Sequence, residues 1–142
     1  PDLVIAAEDV NQPRAGDPNP NHNIKLSVTN GGSAPASGPI TVTVDVQGLP
    51  VGATVTDVEV QGAFGSGTWT QSTSGNTITL TRTGGLAVGD EAAATLRLKL
   101  DAMWWNNGNG VFDVKVAPAA READTENNSV PVRFRWGVGS AV

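Results

Sequence analysis

Apolar and polar residues alternate along short stretches of this chain, and turn-forming residues separate the stretches. Between Ile40 and Val46, isoleucine and valine alternate with threonine and aspartate, and residues 96–100 and 130–136 repeat the pattern. A period of two residues places successive side chains on opposite faces of a strand. The pattern therefore predicts β-strands with one buried and one solvated face.

The same pattern predicts nine strands, at intervals typical of all-β sandwiches. They cover residues 2–7, 23–29, 40–47, 53–61, 68–72, 76–82, 91–100, 110–117 and 129–136. Glycine and asparagine fill the turns between them, including residues 107–110, since both tolerate left-handed backbone conformations. Residues 74–76, Ser-Gly-Asn, form the clearest hairpin turn. No helix is predicted, although residues 117–128 could hold one helical turn.

Two sheets packed face to face would bury the inward-facing apolar residues. This predicts an all-β fold, a two-sheet antiparallel β-sandwich of about seven to nine strands. A chain of 142 residues without an internal repeat is expected to form one domain, residues 1–142. The predicted core consists of Ile24, Leu26, Val28, Val42, Val44, Ile78, Leu80, Leu96, Leu98, Phe112, Val114, Val132 and Phe134, with Trp69 as a further core residue.

Composition excludes several kinds of chemistry. The absence of cysteine rules out disulfides, thiolate catalysis and cysteine-ligated metals. A net charge of -5 with scattered basic residues argues against nucleic-acid binding. Arg133 and Arg135 lie close together on one predicted strand face, where we interpret them as solvated side chains. No apolar stretch approaches the roughly 20 residues of a membrane span, so no membrane insertion is predicted.

The chain is predicted not to be an enzyme. His22 is its single histidine and its one conventional general base near neutral pH. A serine hydrolase would also need a nucleophile elbow of the form Gly-x-Ser-x-Gly, which does not occur in the sequence. We interpret His22 as a lone loop residue within the polar segment 11–23.

Short motifs follow one another along most of the chain. They are Pro-Asp-Leu-Val-Ile at 1–5, Leu-Ser-Val-Thr-Asn-Gly-Gly at 26–32, Gly-Leu-Pro-Val-Gly at 48–52, Leu-Ala-Val-Gly at 86–89 and Asp-Thr-Glu-Asn-Asn at 124–128. In this order they resemble bacterial cell-surface immunoglobulin-like repeats, such as the cell-adhesion-related bacterial domain and the related surface-protein repeat of unknown function. The resemblance implies an extracellular, non-catalytic immunoglobulin-like sandwich, and it transfers no catalytic residue. The polar segment 11–23 and Met-Trp-Trp at 103–105 depart from the family pattern.

Oxygen-bearing side chains, which calcium prefers as ligands, gather in two polar segments. Asp17 and Asn19 lie in the first segment, and Asp124 and Glu126 lie in the second. Neither has the ligand spacing of an EF-hand loop. Calcium is the one candidate cofactor, and the alternative is that these residues form side-chain turns and solvate loops.

Aromatic and amide side chains suggest a second candidate site. Trp104 and Trp105 are adjacent, so in an extended segment they would face opposite ways and one would meet solvent or a partner. With Asn107 and Asn109 they form a predicted loop that could stack on and hydrogen-bond to a sugar. The alternative assigns one tryptophan to the core and the other to covering one end of the sandwich.

These observations leave three hypotheses for function. The first is a structural or adhesive module of a bacterial surface or secreted protein, with neighbouring domains or subunits as partners. The second is a carbohydrate-binding module that binds polysaccharide through the Trp104 and Trp105 loop. The third is a filament subunit in which residues 2–10 exchange between copies, whereas the simpler alternative is that this segment pairs within its own sandwich. Because the chain starts at Pro1 and enters a strand almost at once, we expect it to be a processed or excised piece.

Overall fold

The computed structural model of the chain describes residues 1–10, 21–49, 53–61, 69–101, 107–122 and 124–137, and of residues 101, 107, 136 and 137 only the backbone. All nine predicted strands are present in these residues. The strands are β1 (Leu3–Asp9), β2 (Asn21–Asn30), β3 (Ile40–Gln47), β4 (Thr54–Gln61), β5 (Trp69–Ser74), β6 (Thr77–Arg82), β7 (Glu91–Asp101), β8 (Asn107–Val116) and β9 (Ser129–Gly137). A 3-10 turn, Glu126–Asn128, precedes β9.

The strands form two antiparallel sheets that pack against each other. One sheet has the order β1-β2-β7-β4 and the other the order β5-β6-β3-β8-β9. In β3, buried residues alternate with partly exposed ones, as the period of two predicts. The predicted two-sheet antiparallel sandwich is therefore confirmed.

The interior of the sandwich is built from the residues that the alternation places inward. Every residue of the predicted core is buried, and so is Trp69. Within the described ranges, the structure contains no helix with the length and apolar character that a bilayer crossing requires.

The largest difference from the prediction lies at the start of β8. Residues 107–110 were predicted as a turn, and this is wrong, because they continue the strand. The reason is tertiary: β9 extends to Gly137, so that Asn107 pairs with Gly137 and Asn109 pairs with Arg135. Asparagine and glycine have low intrinsic β propensity, and the pairing with β9 compensates for it.

Gly110 in β8 allows an aromatic ring to pass close to the backbone. It lies opposite Phe134 of β9, and a Cβ atom at Gly110 would stand 2.3 Å from the Cζ atom of that ring. The Phe134 ring is stacked on Phe112 with 4.4 Å between centroids, and it meets the edge of His22 at 5.1 Å. The ring is thus held on two sides and has little room to move away.

We predict that Gly110→Ala destabilises the fold by about 1–3 kcal/mol, since overpacking forces a held side chain off its rotamer. Urea denaturation monitored by tryptophan fluorescence measures the loss. Gly31→Ala is the matched control, because the nearest atom to its new Cβ would be 4.0 Å away. Equal stability of the two variants would contradict the close packing at Gly110.

Candidate functional site

Asn30, at the end of β2, connects the start of β1 to two loops. Its side chain is fully buried. The Oδ1 atom accepts hydrogen bonds from the backbone N–H groups of Asp2 and Gly32, both at 3.1 Å. The Nδ2 atom donates to the carbonyl groups of Ala34 at 2.9 Å and Leu86 at 3.1 Å. A buried amide that uses its acceptor and both donors is a specific structural connection.

Glu122, between β8 and β9, provides a second connection to the start of β1. Its Oε1 atom accepts a hydrogen bond from the backbone N–H of Leu3 at 2.7 Å. Its Oε2 atom accepts from the backbone N–H of Ala119 at 2.8 Å and from Nδ2 of Asn128 at 3.1 Å. One carboxylate therefore joins β1 to the chain segment that leads into β9.

At the other end of β1, Asp9 contacts His22 of β2 inside the sandwich. The carboxylate Oδ2 lies 2.5 Å from the imidazole Nδ1, and the histidine is 0% exposed. The imidazole meets the rings of Phe112 and Phe134 edge-on, both at 5.1 Å. Its Nε2 atom is buried and has no hydrogen-bond partner in the described part of the chain.

The prediction that His22 is a lone loop residue is therefore wrong. β2 begins at Asn21, and His22 pairs with Leu98 of β7, which directs its ring into the core. The local sequence, rich in asparagine and proline, gave no sign of a strand there. Full burial separates this imidazole from any substrate in solution.

These contacts also define the directions of β1 and β9, which lie side by side. Near the first residues of both strands, the Asp2 carboxylate accepts a hydrogen bond at 3.1 Å from Nδ2 of Asn127, which lies just before β9. Toward their ends, Asp9 contacts His22, and His22 contacts Phe134 of β9. Both strands thus run in the same direction. β1 begins at one end of the sandwich, and β9 ends at the other.

The outer face of β8 and β9 carries a second group of polar side chains. Asn109, Arg133 and Arg135 are exposed there, and Asn109 lies directly opposite Arg135. They line an open depression of about 370 Å³, together with Gly110 and Phe134. Neither arginine forms an ion pair within the described residues.

Acidic residues elsewhere on this face already have partners. Asp45 accepts hydrogen bonds from Nε2 of Gln47 at 3.0 Å and from Oγ1 of Thr77 at 3.1 Å. Asp113 lies 3.2 Å from the ammonium group of Lys115. The arginine end of the face is therefore its electropositive part. The sequence analysis named these three residues but did not bring them together, because it predicts a turn at 107–110, and only the extended β8 places Asn109 opposite Arg135.

The predicted calcium ligands are only partly described. Asp124 and Glu126 are exposed, and Oδ1 of Asp124 accepts a hydrogen bond from the backbone N–H of Glu126 at 2.9 Å, which forms a side-chain turn. Asp17 and Asn19 lie outside the described residues. Across the described ranges, no three acidic or histidine side chains come together as a metal site. Calcium binding stays a prediction, and thermal melting with and without millimolar calcium tests it.

The predicted sugar-binding loop is also only partly described. Trp104 and Trp105 lie outside the described residues, and for Asn107 only the backbone is described. Asn109 is exposed on β8, so it belongs to a strand face and not to a loop. Stacking by the two tryptophans stays a prediction.

Comparison with known proteins identifies the fold. No protein-family model matches the sequence, and a search of curated proteins finds no match either. A non-cellulosomal cohesin from the hyperthermophilic archaeon Archaeoglobus fulgidus is similar, with a TM-score of 0.52, 15% identity and coverage of 96% of this chain and 91% of that chain. The N-terminal domain of PorA has a TM-score of 0.53, 14% identity and coverage of 97% and 99%.

A collagen-binding domain from a Staphylococcus aureus adhesin superposes less closely, with a TM-score of 0.47, 13% identity and coverage of 94% and 95%. At these identities the similarity to the cohesin and to PorA shows the fold alone. The immunoglobulin-like sandwich that the sequence resemblance implied is thereby confirmed as a fold.

We predict that His22→Leu destabilises the protein by about 3–5 kcal/mol, because it removes the imidazole that contacts a buried carboxylate. The variant Asp9→Ala leaves the imidazole without that carboxylate and should cost a similar amount. The double variant should lose less free energy of unfolding than the sum of the two single losses, since neither side chain is then left buried without the other. Urea denaturation of the four proteins measures this coupling.

The control for this cycle is the exposed pair of Asp57 and Lys99, whose charged atoms are 3.5 Å apart. Its removal by Lys99→Ala should change stability by less than about 1 kcal/mol. If the double variant loses as much free energy of unfolding as Asp9→Ala and His22→Leu together, the two side chains have no energetic link and the prediction is wrong.

Proposed function

We propose that this chain is a non-catalytic structural module of a bacterial surface or secreted protein, which carries mechanical load between neighbouring domains or subunits. The observation that carries the proposal is the anchoring of β1 at both ends. Asn30 and Glu122 hold its start, and Asp9 holds its end against His22. The resemblance to bacterial cell-surface repeats supports the extracellular location.

The strand directions favour resistance to stretching. Tension between the start of β1 and the end of β9 acts along β1, because these points lie at opposite ends of the sandwich. β1 pairs with β2 in an antiparallel register from Leu3 opposite Asn30 to Asp9 opposite Ile24. Its hydrogen bonds therefore have to shear together and cannot open one at a time.

The same contacts bear on the exchange of β1 between copies. β1 pairs with β2 of its own sandwich, as the simpler alternative predicted. A β1 strand that detaches leaves the buried His22 without the Asp9 carboxylate and the Leu3 N–H without Glu122. Leaving a buried polar group unpaired costs about 1–3 kcal/mol for each neutral group and more for a charged one. These costs oppose detachment of β1, but the β1 strand of a neighbouring copy would restore each contact.

We predict that Glu122→Ala lowers the force needed to unfold the domain when it is pulled through residues 1 and 137. The substitution removes the acceptor of the Leu3 N–H, so the start of β1 loses one of its anchors. Single-molecule force spectroscopy on a tandem array of the domain measures the effect. Asn30→Ala should lower the force further, since it removes bonds to Asp2 and to two loops.

Lys99→Ala provides the control, because Lys99 contacts Asp57 on the far side of the four-stranded sheet from β1. Its unfolding force should equal that of the unmodified domain. If the two anchor variants also unfold at the unmodified force, β1 does not bear the load and the proposal fails.

A further inference from the structure

We propose that the outer face of β8 and β9 binds the anionic group of an acidic glycan through Arg133 and Arg135. Asn109, opposite Arg135, adds an amide to the same depression. This site is separate from the anchors of β1, because its side chains point away from the core. The proposal therefore does not depend on the load-bearing function.

Charge is the first argument. The chain carries a net charge of -5, yet two arginines stand on one strand face with no acidic partner among the described residues. Alternate residues of a strand are about 6.8 Å apart, so the two guanidinium groups can flank one ligand. Guanidinium groups bind carboxylates and sulfates through paired hydrogen bonds.

Shape is the second argument. The depression of about 370 Å³ falls within the range of about 300–1,000 Å³ that is common for small-ligand sites. The Asn109 amide can both donate and accept a hydrogen bond, which suits a sugar hydroxyl. Gly110 and Phe134 complete the lining beside the outward-facing side chains.

The rest of the five-stranded sheet favours a glycan over other polyanions. Nucleic acid requires many basic residues along a track, whereas this face offers two arginines and a lysine that is paired with Asp113. The neighbouring strands β3, β5 and β6 present hydroxyl groups on the same outer face, which can exchange hydrogen bonds with sugar hydroxyls. These residues are Thr41, Thr43, Ser72, Ser74, Thr79 and Thr81.

The test is calorimetric titration of the whole chain with an oligogalacturonate, with a sulfated oligosaccharide and with the neutral parent of each. We expect saturable binding of an acidic probe to the unmodified chain. Arg133→Gln and Arg135→Gln should each weaken the affinity for that probe about tenfold, because each removes a charged hydrogen bond. Arg97→Gln is the matched control and should bind like the unmodified chain. Arg97 is exposed on β7, in the other sheet.

The two acidic probes distinguish a carboxylate from a sulfate as the recognised group, and tighter binding of either supports the proposal. It is overturned if neither acidic probe binds, if the neutral parents bind as tightly, or if Arg97→Gln weakens binding as much as the two test variants do. A DNA duplex that binds as tightly as the glycans would also overturn it, since the face would then attract any polyanion.

Discussion

The position of β1 depends on one constraint, which is that polar groups inside the apolar sandwich need hydrogen-bond partners. Asp9 and His22 face each other in the core, and Asn30 and Glu122 hold the backbone at the other end of the strand. A shift of one residue in register would turn Asp9 to the outside and leave His22 without it. Because buried polar groups are costly when unpaired, one register is strongly preferred over its neighbours.

The same contacts link the two sheets. His22 belongs to the four-stranded sheet, and the rings of Phe112 and Phe134 that surround it belong to the five-stranded sheet. Gly110 leaves room for Phe134 to reach this position. β9 therefore has two roles: its inward residues complete the packing around the histidine, and its outward arginines form the electropositive end of the opposite face.

Much of the fold could be predicted from the sequence because a half-buried strand shows its period of two in the order of its residues. Residues 40–47 illustrate this, since the predicted and observed bounds of β3 agree. The start of β8 illustrates the limit. Asparagine and glycine at 107–110 favour a turn locally, and pairing with residues 134–137 of β9 overrides that preference.

By itself, the sequence determined which residues face inward, since alternation along a strand depends only on neighbours in the chain. Only the tertiary structure decided what the polar residues do. Asp9 and His22 meet across two strands, and Asn109 meets Arg135 across two others. Pairing between strands depends on register, and register is set by the packing of the whole sandwich and not by any local pattern.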